Sequence, residues 1–287
     1  MADFKPKLLG IELIMFFIVQ AIALFVGYTF FKKGLVQQMP VSQALPSFLI
    51  AFVIAIVVMV AVLYFLKTPK TFSLFFGFMI FIGTNIVFSA FVPDLIAVIL
   101  AIIVVVVRFY KPNIITHNIA IFLTIAGVSA QLGLMMPVLA VIVILLVLSV
   151  YDYIAVFKTH TMIKMFKQML QRGAPFAIIV PESPQHFNVQ VHKVSKEKLE
   201  KLKKSGRGKS RFLMLGTGDL AFPAVFAVSA LVQYNMMTSF AIIAGALVGI
   251  VVNHYYLTQK FKAIPALPAI AVFSIIAFVI SQLPSWI

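Results

Sequence analysis

Apolar residues run along this chain in long, nearly unbroken stretches, and the short polar breaks between them set its elements. Nine stretches have the length and apolarity of spanning helices, or come close to it. They are Leu8 to Phe31, Pro46 to Leu66, Thr71 to Phe91, Leu95 to Val107, Ile114 to Leu134, Met136 to Phe157, Phe212 to Tyr234, Ser239 to Leu257, and Ala263 to Pro284. The fourth is short for a full crossing. Read with the third as one helix from Thr71 to Val107, it would extend about 55 Å at about 1.5 Å per residue. That far exceeds a hydrocarbon core of about 30 Å. Pro93-Asp94 also supplies a turn. Two short linked spans fit better, and the expected fold is an all-α membrane protein with nine transmembrane helices.

One hydrophilic stretch interrupts this pattern and divides the chain. Residues 1–157 hold spans one to six, 158–210 form a polar segment, and 211–287 hold spans seven to nine. Between Lys158 and Arg172, Met162, Met165, Phe166 and Met169 share one helical face with lysines between them. This predicts an amphipathic helix at the membrane interface. Phe176 to Val180 and Phe187 to Val191 read as strands, separated by Pro181-Glu182-Ser183-Pro184. Lys193 to Ser210 is Lys-rich, Gly-punctuated and expected to be mobile. Composition agrees with a membrane class: 62% of residues are hydrophobic and 11% charged. The absence of cysteine excludes disulfides and thiolate-bound metal centres. The first span has no small-residue cleavage site followed by a soluble domain, so no cleavable signal peptide is expected.

The charge distribution gives an orientation. With the N-terminus placed inside, 21 of the 23 basic residues fall on the cytoplasmic side, and only Lys32 and Lys33 lie outside. Thirteen of the 21 belong to the segment from Lys158 to Arg211. Without them the ratio is still eight to two, the positive-inside asymmetry. The expected arrangement is a multi-pass protein of the cell membrane. Its N-terminus and the loop between spans six and seven are cytoplasmic, and its C-terminus is outside. The net charge of +15 calls for no nucleic acid, because its nearest partner is anionic lipid.

Eight acidic residues occur. Asp3, Glu182, Glu197 and Glu200 lie in hydrophilic segments, Asp94 at an outer turn, and Glu12 near the inner end of span one. Glu12 is expected to snorkel or to meet nearby lysines. Asp152 and Asp219 remain inside spans, where an ionisable group suggests function by default. Asp152 precedes Lys158 by six residues, and Asp219 follows Arg211 by eight. Both therefore sit about 9–12 Å below the cytoplasmic end of consecutive antiparallel helices. Two such carboxyls can share one proton, leaving one as base toward water and the other as acid toward a peptide carbonyl. A structural pair or a proton relay is equally consistent with the two residues alone. Gly216 and Gly218 weaken the helix before Asp219 and permit close backbone approach, or serve small-residue packing. Pro265-Ala266-Leu267-Pro268 enters span nine at matching depth. Its prolines free backbone carbonyls or simply begin a helix.

Tyr151-Asp152, Gly216-Thr217-Gly218-Asp219 and Pro265-Ala266-Leu267 together resemble the three signatures of the presenilin and signal peptide peptidase family, the GxGD intramembrane aspartyl proteases. Their order and their placement on spans six, seven and nine agree. Ala155-Val156-Phe157 and Thr159-His160-Thr161-Met162 resemble archaeal members. The resemblance implies a presenilin-like fold and hydrolysis of peptide bonds within the membrane by Asp152 and Asp219. Tyr151, Gly216, Thr217, Gly218, Pro265, Ala266 and Leu267 would shape the site or hold substrate, with no metal and no cofactor. It further implies that substrates are transmembrane segments of single-span proteins or remnant signal peptides. Presenilins share the orientation inferred here, whereas signal peptide peptidases are inverted. A second copy of the chain is left open as a partner. Other intramembrane protease chemistries lack their motifs: none of the five histidines has HExxH spacing, and no serine sits in a nucleophile motif. His117 and His254 lie near span ends, where interfacial packing is expected. The competing class is a proton-coupled transporter or channel using the same carboxyls. Against it stand the lack of internal repeats and the placement of the acids toward the inner face rather than at midplane.

Overall fold

The computed structural model describes residues 6–36, 38–65, 69–158, 176–181, 184–196, 212–257 and 265–283. Within them lie helices α1 (Pro6–Lys32), α2 (Val41–Phe65), α3 (Pro69–Ser89), α4 (Asp94–Tyr110), α5 (Ile114–Met135) and α6 (Val138–Phe157). Strands β1 (Ala177–Pro181) and β2 (Phe212–Gly216) follow, then α7 (Thr217–Gln233), α8 (Met236–Val252) and α9 (Leu267–Gln282). Among the described residues, five stretches are long and apolar enough to cross a membrane: Leu8–Lys32, Thr71–Ser89, Ile114–Met135, Val138–Ala155 and Met236–Tyr255. Shorter apolar helices run through Val41–Ile54, Thr217–Gln233 and Leu267–Gln282.

Local chemistry explains the boundaries. Pro93 precedes α4 in an extended conformation (φ −57°, ψ 150°) and separates it from α3, as the length of the combined stretch requires. Asn113 caps α5 by accepting the Thr116 N–H at 2.9 Å, and Asn235 caps α8 by accepting the Thr238 N–H at 2.8 Å. Pro137 leads into α6, whose first N–H, on Val138, donates to Gln233 Oε1 at the far end of α7.

Packing is that of a protein immersed in lipid. Large apolar residues such as Ile99, Ile102, Ile103 and Val106 of α4 are exposed, while Ala97 and Ala101 of the same helix are buried. Small residues face inward because close helix approach, rather than escape from water, holds helices together in a bilayer. The α8–α9 contact shows this most clearly. A Cβ on Gly245 would stand 2.4 Å from the Phe273 carbonyl oxygen, and one on Gly249 would stand 2.6 Å from Ile270 Cα. This GxxxG step sets how near α9 lies to α8.

β1 and β2 pair antiparallel, with Ile179 opposite Met214. Two findings here correct the sequence reading. Phe212 to Gly216 is strand, so the seventh helix begins at Thr217 rather than at Phe212; a short apolar run does not itself distinguish strand from buried helix. Phe187 to Val191 is not a strand. Pro184–Asn188 forms a 3-10 turn, and the chain then seats on the start of α5 through Ile114 N–H to Val189 O and Val191 N–H to Pro112 O. Residues 191–196 continue as a helical turn with Val194 and Ser195 buried, so this part of the expected mobile stretch is ordered. The expected amphipathic helix lies outside the described residues beyond Lys158, as does the remainder of the Lys-rich stretch.

The sheet is docked by α5. Asn118 Nδ2 donates to the Ile179 carbonyl at 2.8 Å, and the Ile179 N–H donates to Asn118 Oδ1 at 3.0 Å, so one side chain acts as a neighbouring strand. His117, which the sequence assigned to the interface, is fully buried beside it. Arg108 Nε donates to His117 Nδ1 at 3.2 Å. A guanidinium only donates, so the proton is on Nε2, which reaches the Ala177 carbonyl at 3.0 Å. Arg108 is itself buried, with its guanidinium over the Phe76 ring. Replacing Asn118 by Leu strands the Ile179 N–H and C=O without partners, at about 1–3 kcal/mol for each group. Thermal unfolding in detergent should show a clear drop in Tm for Asn118→Leu, and an unchanged Tm would contradict the clamp.

Candidate active site

Asp152 lies on α6, five residues before its last residue, Phe157. It is 8% exposed, and among the described residues its Oδ2 has no hydrogen-bond partner. Asp219 lies in the first turn of α7. The helix can start there because β2 ends at Gly216, whose φ of −62° and ψ of 144° are extended and place it as the N-cap. The Gly216 N–H is directed at the Asp219 carboxyl, an N-cap amide held by the acid three residues on. Gly216 needs no unusual φ; its lack of a side chain matters for clearance, since a Cβ there would stand 3.1 Å from Asp219 Oδ2. The two carboxyls, from α6 and α7, are close enough for their charges to interact.

The third sequence motif arrives at the same place. Pro265 and Ala266 are buried, and α9 begins at Leu267 with Pro268 in its first turn; Ala266 is its N-cap, with φ −85° and ψ −32° and a carbonyl that accepts the Ile270 N–H at 3.2 Å. Pro268 is thus an ordinary helix-initiating proline. The Leu267 N–H is directed at the Asp152 carboxyl. The structure therefore joins Asp152, Asp219, Gly216 and Leu267. Thr217 and Gly218 complete the turn between them, and Gly218 has open space around it apart from Phe222 Cε2 at 3.9 Å. Tyr151 instead turns toward α2, half exposed, with its ring edge-to-face on Phe52 at 6.3 Å.

The chain matches the family model described as signal-peptide peptidase, presenilin aspartyl protease over residues 13–287. It belongs to that family. The fold is similar to solved structures of a presenilin family intramembrane aspartate protease. One, in the C222 space group, has a TM-score of 0.62 and 21% identity, over 93% of this chain and 94% of that chain. Another, in the P2 space group, has a TM-score of 0.65 and 23% identity, over 95% and 96%. No curated protein sequence matches the chain. This protein is therefore a multi-pass membrane protease of the aspartic type, with a presenilin-like fold.

Two residues beside the candidate site were not marked by the sequence motifs. Glu12 neither snorkels nor meets lysine: it is 5% exposed, bonds to His254, and is close enough to Asp219 for charge interaction. Gln20, on the same helix, donates from Nε2 to the Leu220 carbonyl at 2.9 Å. A signal was present, since Glu12 and Gln20 lie eight residues apart, on one face, inside an otherwise apolar span.

Proposed function

We propose that Asp152 and Asp219 are the catalytic pair of this protease. The observation that carries this is the meeting of two intramembrane carboxyls from neighbouring helices, one of which is addressed by the Leu267 amide and has, among the described residues, an unpartnered oxygen. The pair shares one proton. Its ionised member takes a proton from water as the water oxygen attacks the peptide carbonyl carbon, while the protonated member donates to the carbonyl oxygen. The tetrahedral diol then collapses. The C–N bond breaks as the amine nitrogen takes a proton from the protonated carboxyl, a diol hydroxyl returns its proton to the other carboxylate as C=O re-forms, and the carboxylic acid leaves with the pair again singly protonated. Either Asp152→Ala or Asp219→Ala should leave less than about a tenth of the wild-type cleavage of a single-span substrate, with insertion intact. Activity above that level in either variant rejects the shared mechanism.

The substrate class follows from the family chemistry: transmembrane segments of single-span proteins or remnant signal peptides. Such a helix hides its carbonyls in its own hydrogen bonds and must unwind before hydrolysis. The freed backbone groups then need partners in a poorly hydrated place. Strand β2 can supply them. Ile179 spends both its backbone groups on Asn118, so Ile179 and Met214 form a non-hydrogen-bonded pair. The backbone groups of Met214 consequently point away from β1, along the edge that leads to Gly216 and Asp219. An unwound substrate adds there as a third strand, which suits broad side-chain tolerance. Met214→Pro removes that edge donor and should lower cleavage by about tenfold or more, whereas Met214→Ala should be mild. A harmless proline at this position defeats the strand-addition reading.

The orientation read from charge completes the proposal: nine spans, with the N-terminus and the segment around Lys204 in the cytoplasm and the C-terminus outside. An asymmetric site fixes the direction of the bound peptide, and substrates are expected to enter with their N-termini outside. Reporter fusions at Lys204 and after Ile287 should report inside and outside respectively. The reverse pattern overturns the topology.

A further inference from the structure

The inner half of α1 carries a polar face that a spanning helix does not need. Glu12 and Gln20 lie about 12 Å apart along it, two turns of helix, and Phe16 between them is fully buried. Each polar group is costly in an apolar surround unless bonded. Gln20 bonds to the first turn of α7, at the carbonyl of the residue after Asp219. Glu12 bonds to His254, Oε2 to Nδ1 at 3.1 Å, with both side chains largely buried. His254 belongs to a π-turn, Asn253–Leu257, that ends α8. Such turns are rare departures from helix that frequently accompany functional sites. From this one the sequence leads through residues 258–264 to Pro265-Ala266-Leu267. Leu8, Phe16, Leu220, Ile250, Ala266 and Ile270 belong to one apolar cluster. One face of α1 therefore touches both the helix start bearing Asp219 and the helix end that precedes the Leu267 segment.

A Glu–His pair is a poor means of merely holding two helices together. Two apolar side chains of similar volume would do so as well or better, since burying polar partners offsets most of their attraction. What the pair adds is direction, because a hydrogen bond fixes angle and register where apolar contact does not. We propose that Glu12 and His254 are positioning residues for hydrolysis: they tie the end of α8 to α1, so that the Leu267 amide and the Asp219 carboxyl keep a constant spacing. This rests on the catalytic pair proposed above.

The test separates holding from positioning in the full-length protein. The double variant Glu12→Leu with His254→Leu should fold, with Tm within about 4 °C of wild type. Its kcat should fall about 10- to 100-fold, the scale of an ångström-sized misplacement, while KM stays within about threefold. Glu12→Gln keeps an acceptor for the imidazole and should retain kcat within about threefold. A double variant that folds and keeps more than half of wild-type kcat overturns the proposal. So does a Glu12→Gln protein that folds yet loses more than about tenfold, because the charge and not the bond would then be the requirement. If the double variant fails to insert, His254→Phe decides, since it keeps the ring's bulk and removes the bond: a kcat more than half of wild type overturns the proposal, and a fall of about tenfold or more with KM within about threefold supports it. Asp219→Ala runs beside them. Activity retained there sinks the catalytic-pair reading itself, whereas an inactive Asp219→Ala beside fully active Glu12 and His254 variants sinks only the positioning role.

Discussion

Polar groups below the membrane surface have no bulk water to bond with, and most of what is specific in this structure follows from that constraint. Asp152, Asp219, Glu12, Gln20, Arg108, His117 and Asn118 all lie on helices in a chain that is otherwise overwhelmingly apolar. Each meets a backbone group or another polar side chain, although among the described residues Asp152 Oδ2 and Gln20 Oε1 have no partner. The pattern is reciprocal. Non-helical backbone is tolerated at membrane depth only where protein satisfies it, and here helix side chains supply that satisfaction.

The short sheet illustrates the exchange. One edge of β1 is taken by Asn118 and His117 of α5, and the other pairs with β2. Among the described residues the far edge of β2 is unpaired, and this edge ends at the glycine capping the helix that bears Asp219. The clamp on α5 is therefore remote from the proposed chemistry yet determines which strand edge faces it. The α8–α9 glycine step acts similarly, since it fixes the approach of the helix whose first amide addresses Asp152.

The family that the three short motifs resemble is the one whose model matches residues 13–287, and the solved structures add the fold. Identity with the solved structures is 21–23%, a likeness of fold and not of side chains. The Glu12–His254 pair and the Asn118 clamp are contacts of this chain's side chains.

The apolar periods of the chain by themselves determined that it is a helical membrane protein. They located the stretches that became α1 to α9, because a hydrocarbon core demands long runs of apolar residues and little else looks like them. The motif residues equally marked Asp152, Asp219 and the Pro265-Ala266-Leu267 segment, because an acid or a paired proline inside such a run is conspicuous. Tertiary structure alone decided the rest. Phe212 to Gly216 became strand because β1 was there to pair with it. Phe187 to Val191 did not, because the start of α5 claimed its backbone. Glu12 went inward because His254 met it. In each case the outcome was settled by a partner distant in sequence, and no local pattern of apolar and polar residues records which partner a hydrogen-bonding group will find.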